Sequence, residues 1–195
     1  MNPNRITVAR ILACPALGAL ILLDPLAARF GAFVLFLLAA FSDVYDGVLA
    51  RRSRTVTPFG KIWDPLADKL LLAVTLVPLG VLGELPVWLV LLVLGREVGI
   101  TAFRRYALAR GRLIAASPLG KAKTLSQNLL VGTVLFARVL APGAARRDAG
   151  GWPDTLEGAA AAAAAALVWV VAALTVLSFA DYLIRNRALI ARGIA

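Results

Sequence analysis

Residues 43–68 read DVYDGVLARRSRTVTPFGKIWDPLAD, and this stretch places four aspartates between long apolar segments. Asp43 and Asp46 are three residues apart, and on a helix they share one face. Asp64 and Asp68 are four residues apart and do the same. Carboxylates gathered beside a membrane need a cation or protons to offset their repulsion. Because oxygen ligands without histidine or cysteine favour hard ions, the stretch predicts bound Mg²⁺, with Mn²⁺ as the alternative.

The composition of the whole chain is that of a membrane protein. Of its 195 residues, 61% are hydrophobic and 16% are charged, and the mean hydropathy is +0.83. Soluble domains are about 45–50% apolar and about 25% charged. Six apolar segments approach the length of a membrane span. We predict an all-α, polytopic membrane protein with one transmembrane domain over residues 1–195 and six transmembrane helices, at 6–23, 31–49, 62–82, 86–107, 119–140 and 159–184.

Charge predicts the orientation of these six segments. The formal net charge is +10, with 21 Lys and Arg against 11 Asp and Glu. Six spans put both termini on one side with most of the cations, whereas the opposite loops hold Arg29, Arg146 and Arg147. Since basic loops stay in the cytoplasm, we expect both termini and the aspartates at the cytoplasmic face, and no nucleic-acid partner. Arginine outnumbers lysine by 17 to 4 and alanine is abundant, which is typical of a GC-rich bacterial gene. Together with the apolar composition, this predicts a protein of the bacterial inner membrane.

Several kinds of chemistry are excluded by composition. The chain has no histidine, which rules out histidine ligands and histidine acid–base catalysis, and Cys14 is its one cysteine.

The amino-terminal apolar segment is long for a signal peptide and contains Arg10 and Pro15, so we expect it to be retained as the first span. A buried aspartate alone also fits an ion-coupled small transporter, which stays open as a non-enzyme alternative.

The quoted stretch resembles the signature of the CDP-alcohol phosphatidyltransferases, DxxDGxxARx8GxxxDxxxD, at every fixed position. These positions are Asp43, Asp46, Gly47, Ala50, Arg51, Gly60, Asp64 and Asp68. The resemblance implies a six-helix membrane fold, usually homodimeric, with two divalent metals held by the four aspartates. It also implies transfer of a phosphatidyl group from a CDP-linked donor to an alcohol, with release of CMP.

The resemblance assigns roles to the fixed residues. Asp68 is the expected general base for the attacking hydroxyl, besides touching a metal. Gly47, Gly60 and Ala50 leave room for the CDP moiety, and Arg51 offers a permanent positive charge to its phosphates. No serine, cysteine or histidine stands out as a nucleophile, so we expect direct attack on the donor β-phosphorus.

Other stretches resemble the family members that make phosphatidylglycerol phosphate. They are NRITVARILACP at the start, GREVGITAFRRYALARG after it, and LGKAKTLSQ, which holds Gln127. The resemblance implies CDP-diacylglycerol as donor and glycerol 3-phosphate as acceptor. Arg104, Lys121 and Lys123 are the predicted acceptor-phosphate residues, whereas Arg96 and Glu97 are predicted to form a structural ion pair.

Alternatives remain within and beyond the family. Phosphatidylinositol phosphate synthase is the nearest, because its acceptor is also a phosphorylated polyol; phosphatidylserine and cardiolipin synthases are more distant. Membrane aromatic prenyltransferases also use two aspartate-rich helices and Mg²⁺, but they lack the DGxxAR element. The stretch 141–158 has no counterpart that we can name.

Overall fold

The computed structural model describes residues 3–53, 58–111, 114, 118–141 and 152–187, without the side chains of 3–7, 43–53, 58–62, 64–65 and 152–154. Within these ranges the chain forms helices and no strand, which confirms the predicted all-α fold class. In chain order the helices are α1 (Pro3–Leu22), α2 (Leu26–Ser53), α3 (Pro58–Val81), α4 (Val87–Ala109), α5 (Pro118–Leu140) and α6 (Trp152–Arg185).

Proline and glycine define several helix ends. Pro58 and Pro118 are the first residues of α3 and α5, where a missing N–H costs no helical hydrogen bond. After α3, Gly83 adopts a φ of 76°. Its N–H donates to the carbonyl of Gly80, and the N–H of Glu84 donates to the carbonyl of Leu79. This paired pattern is a Schellman motif, and it turns the chain sharply toward α4.

The six helices pack as a closed ring. Around the ring each helix has two principal neighbours, in the order α1, α2, α5, α6, α4, α3 and back to α1. The core at the centre is apolar, with Leu17, Phe36, Leu79, Val93 and Leu135 all buried. The topology therefore brings α4 and α5 near α2 and α3, the two helices that carry the aspartate motif.

The outer surface of the ring is also apolar. Every helix exposes large hydrophobic side chains, among them Leu12, Phe41, Val77, Val98, Leu129 and Trp169. A soluble monomer seldom exposes apolar residues around its whole circumference, whereas a helix bundle in lipid does. The surface is therefore typical of a protein surrounded by hydrocarbon.

One helical segment of the described chain, Thr155–Arg185, is long and apolar enough to cross a membrane. Only 28% of its most apolar window is buried inside the bundle, so it is not a core helix of the soluble type. Two shorter apolar segments are Val8–Leu22 and Leu26–Ser42. The topology of six spans stays a prediction. Of the stretch 141–158, residues 142–151 lie outside the described residues.

Two arginines satisfy helix ends at the side of the ring away from the aspartates. Arg29 donates from Nη1 to the carbonyl oxygens of Arg138 and Ala141, at 3.1 and 3.2 Å. Arg138 donates from Nη1 to the carbonyl oxygen of Ile21 at 2.6 Å. The final carbonyls of a helix lack intrahelical donors, so these guanidinium groups stabilise the ends of α1 and α5.

Candidate active site

A cavity of about 410 Å³ lies among α2, α3, α4 and α5. Its charged lining residues are five cations and two carboxylates: Lys69, Arg96, Arg104, Arg105, Lys123, Asp68 and Glu97. The difference, five minus two, leaves three excess positive charges on the described wall. A concave surface with one dominant sign of charge concentrates ligands of the opposite sign. The cavity is therefore suited to anionic ligands.

Asp68 brings the aspartate motif to this cavity. Its side chain is 54% exposed, and Oδ1 lies 3.3 Å from Nη1 of Arg10. Arg10 is buried on α1, the helix that packs beside α3. A charge-assisted hydrogen bond from a buried guanidinium restrains one carboxylate oxygen. The exposed part of the carboxylate can still accept a proton from a bound molecule.

The α4 wall of the cavity follows the repeat of the helix. Two adjacent rows of residues spaced four apart line it: Arg96, Ile100, Arg104 and Leu108, and beside them Glu97, Thr101 and Arg105. Residues four apart lie above one another on a helical face. One face of α4 therefore supplies most of the charge of the cavity.

Glu97 joins two cations at the inner wall. Its Oε1 accepts from Nη1 of Arg96 at 2.8 Å and pairs with Nζ of Lys123. Lys123 is only 2% exposed and Glu97 is 21% exposed. Arg96 also donates from Nη2 to Oγ of Ser178 on α6, at 3.3 Å. The predicted Arg96–Glu97 ion pair is confirmed, and the structure adds Lys123 as a second partner.

The three predicted acceptor-phosphate residues differ in position. Arg104 lines the cavity, and its guanidinium carbon lies 5.8 Å from the centre of the Tyr182 ring, a cation–π distance. Lys123 lines the cavity as a buried member of the Glu97 ion pair. Lys121 is exposed on α5 and is not among the described residues that line the cavity. The structure thus brings two of the three together, and their phosphate-binding role stays a prediction.

The remaining predicted residues have side chains outside the described part of the structure. They are Asp43, Asp46, Gly47, Ala50 and Arg51 on α2, and Gly60 and Asp64 on α3. Both helices run unbroken past the aspartates, so the spacings of three and four are helical spacings. Among the side chains that are described, no group of three or more His, Cys, Asp or Glu residues could hold a metal.

The residue types present fit a hard divalent ion. Asp68 presents a half-exposed carboxylate at the cavity, and the other candidates on α2 and α3 are also aspartates. Carboxylate oxygens are the ligands that Mg²⁺ prefers, and the chain has no histidine that would favour a softer metal.

Sequence reasoning missed some of the cavity wall. Lys69 follows Asp68 directly, and Arg105 lies eight residues after Glu97 in the second α4 row. Counting in steps of four from the predicted Arg96–Glu97 pair would have found that row. Asn128 also lines the cavity, and no sequence feature other than its position next to Gln127 indicated this.

Comparison with known proteins gives one family match and several similar proteins. The family described as CDP-alcohol phosphatidyltransferase matches residues 1–177. The CDP-diacylglycerol–glycerol-3-phosphate 3-phosphatidyltransferase of Bacillus subtilis is 36% identical over 147 residues, 69% of this chain and 76% of that protein. The protein of the same name from Cereibacter sphaeroides is 33% identical over 205 residues, 92% of both chains.

A shorter match has higher identity. A probable phosphatidylglycerophosphate synthase of Mycobacterium tuberculosis is 43% identical over 106 residues, 54% of this chain and 50% of that protein. The family match covers most of the chain, and the Bacillus and Cereibacter relatives align over more than two thirds of their own lengths. This chain therefore belongs to the CDP-alcohol phosphatidyltransferase family.

Proposed function

We propose that this protein transfers the phosphatidyl group of CDP-diacylglycerol to glycerol 3-phosphate, giving phosphatidylglycerol phosphate and CMP. The observation that carries the proposal is a single cavity joining Asp68 of the aspartate motif to an excess of cationic side chains. Both substrates are phosphate anions, and one of them must also lose a hydroxyl proton. The names of the Bacillus and Cereibacter relatives state this reaction for those proteins.

Asp68 is the general base of the proposed reaction. The primary hydroxyl oxygen of glycerol 3-phosphate forms a bond to the β-phosphorus, which carries the diacylglycerol. The bond between this phosphorus and the oxygen of cytidylate breaks, and CMP leaves with the electron pair. The hydroxyl proton passes to the carboxylate of Asp68. Arg10 restrains that carboxylate through its 3.3 Å contact.

The donor and metal residues follow from the family. CDP-alcohol phosphatidyltransferases generally depend on divalent metals. Asp43, Asp46, Asp64 and Asp68 would hold two such ions, Mg²⁺ or Mn²⁺, whose charge would stabilise the diphosphate oxygens. The proposed CDP site consists of Gly47, Ala50, Arg51 and Gly60. The two glycines and Ala50 would leave space for the CDP moiety, and Arg51 would add positive charge for its phosphates.

The acceptor phosphate binds at the cationic wall. Arg104 is the proposed direct contact, because it is exposed to the cavity and can offer two parallel N–H donors. Lys123 adds charge from within the ion pair with Glu97. Lys121 lies outside the cavity lining, so its proposed role is limited to attracting the anion toward the entrance.

The proposed setting is a bacterial inner membrane. Apolar side chains exposed on all six helices support six spans in one domain, with lipid around the ring. The asymmetry of basic residues supports cytoplasmic termini and a cytoplasmic active site. The homodimer remains an expectation from the family.

Release of CMP tests the proposal. Purified protein with CDP-diacylglycerol and Mg²⁺ is expected to release CMP when glycerol 3-phosphate is added, and not without an acceptor. The Asp68→Asn variant is expected to lose this activity, and Asp24→Asn, the same change at an exposed aspartate outside the cavity lining, is the matched control that retains it. The proposal would be contradicted if CMP were released at the same rate with and without glycerol 3-phosphate, or if Asp68→Asn kept full activity.

A further inference from the structure

We propose that Gln127 binds the secondary hydroxyl of the acceptor and so determines acceptor specificity. This role rests on the proposed function, because it concerns the glycerol 3-phosphate that would occupy the cavity. Gln127 is neither the general base nor a predicted phosphate ligand. It belongs to the LGKAKTLSQ stretch, in which Lys121 and Lys123 already have proposed roles.

The amide of Gln127 is buried and incompletely hydrogen-bonded. The residue is 2% exposed and lines the cavity. Among the described residues, none accepts a hydrogen bond from its Nε2. Buried polar atoms in folded proteins nearly always have a partner, so an orphaned amide at a cavity wall indicates a ligand or a water that completes it. A side-chain amide both donates and accepts, which matches the hydrogen-bonding capacity of a hydroxyl.

The position of Gln127 along α5 separates it from the phosphate. Lys123, Gln127 and Val131 all line the cavity and are spaced four apart, one turn each. The wall therefore changes along one face of α5 from an ion-paired cation to a neutral amide and then to an apolar side chain. A phosphate is best stabilised at the cationic end, whereas a neutral hydroxyl suits the amide one turn further along.

The acceptor has one group without an assigned partner. Its primary hydroxyl attacks the donor and loses a proton to Asp68, and its phosphate is bound at the cationic wall. The secondary hydroxyl, on the middle carbon, lies between these two ends. Gln127 lines the same cavity as Asp68 and Arg104, so its amide is available to that middle group.

Paired acceptors test this role. Activity is measured with glycerol 3-phosphate and with 3-hydroxypropyl phosphate, which keeps the primary hydroxyl and the phosphate but lacks the secondary hydroxyl. The native protein is expected to prefer glycerol 3-phosphate in kcat/KM by about tenfold or more, because a site built to bind the secondary hydroxyl is left with an unpaired polar group when the analogue without that hydroxyl is bound. In Gln127→Met, which conserves size, the preference is expected to fall to about twofold or less.

The comparison is internally controlled. Both acceptors are measured on one preparation, so the folded fraction cancels in the ratio, and Gln127→Asn gives a second reading if Gln127→Met inserts poorly. Ser126→Ala is the matched control, because the Ser126 hydroxyl is buried but donates to the Lys123 carbonyl and does not line the cavity. It is expected to keep the native ratio.

The outcomes separate this inference from the proposed function. An unchanged preference in Gln127→Met, or no preference in the native protein, overturns the role of Gln127 while leaving the reaction intact. A native protein that transfers to neither acceptor overturns the proposed function itself.

Discussion

Glu97→Gln is predicted to destabilise the protein through the two cations that share its carboxylate. Oε1 of Glu97 accepts from Arg96 at 2.8 Å and pairs with Lys123. Glutamine has nearly the same shape but no charge, so the change leaves the packing in place and removes the counter-ion. Lys123 is 2% exposed and cannot recover its hydration without moving. An ammonium group would then remain buried without its anionic partner.

The magnitude follows from the burial of the pair. Removing one member of a fully buried ion pair costs about 3–5 kcal/mol. Glu97 is 21% exposed, and the amide of glutamine can still accept a hydrogen bond, so we expect a smaller loss than for a fully buried pair, about 2–3 kcal/mol. For a chain of this length, each kcal/mol shifts Tm by about 2–4 °C, so Tm should fall by about 4–12 °C.

A double-mutant cycle in detergent measures the interaction. Tm is recorded for the native protein, Glu97→Gln, Lys123→Met, and the double variant. Lys123→Met removes the ammonium that Glu97→Gln leaves without a counter-ion. The loss of stability in the double variant is therefore expected to be smaller, by about 1–2 kcal/mol, than the sum of the losses in the two single variants. Additive losses would show that Lys123 and Glu97 do not depend on each other.

An exposed ion pair provides the control. Arg185 lies 2.6 Å from Asp181 at a spacing of four, and its side chain is 65% exposed. Exposed pairs contribute about 0.3–0.5 kcal/mol on a helix, so Arg185→Gln should shift Tm by about 2 °C at most. A Glu97→Gln variant with a Tm as close to native as this control would refute the reasoning.

Three further predictions concern the metal, the topology and the acceptor. Excess EDTA should abolish CMP release and added Mg²⁺ should restore it, so full turnover in EDTA would contradict a metal held by the aspartates. In a Cys14→Ala background, cysteines placed at Ser53 and Thr155 should react with an impermeant reagent from opposite faces of the membrane; reaction of both from the periplasmic face would show the orientation to be wrong. Arg104→Ala removes a charge-assisted contact worth about 1.5–3 kcal/mol, so KM for glycerol 3-phosphate should rise by about one to two orders of magnitude with little change for the donor. Lys121→Ala should change that KM by about threefold at most, since Lys121 lies outside the cavity, and a larger effect than that of Arg104→Ala would reverse the assignment.

The helices could be predicted from the sequence because the apolar runs are long and end in proline or glycine. Their boundaries were less accurate. The segment predicted at 31–49 is the helix Leu26–Ser53, and the segment predicted at 159–184 is the helix Trp152–Arg185. Hydropathy marks the part of a helix that fits hydrocarbon, whereas backbone hydrogen bonding continues through the polar turns at each end.

The cavity could be predicted only in part. Asp68, Arg104 and Lys123 were identified by motif, and all three line it. The pairing of Lys123 with Glu97 could not be read from sequence, because these residues are 26 positions apart and meet only when α4 and α5 both face the cavity. The exposure of a side chain could not be predicted from the motif either. Lys121 and Lys123 belong to the same motif, but a step of two residues places them on different faces of the helix, so that Lys121 is exposed and Lys123 is buried.

The most direct test of the central claim is a competition between acceptors. Purified protein receives CDP-diacylglycerol, Mg²⁺ and equal concentrations of glycerol 3-phosphate and inositol 1-phosphate, and the lipid products are identified by mass spectrometry. We predict that phosphatidylglycerol phosphate is the predominant product and that its amount equals the CMP released. Predominance of phosphatidylinositol phosphate, or CMP release without either lipid, would contradict the proposed function.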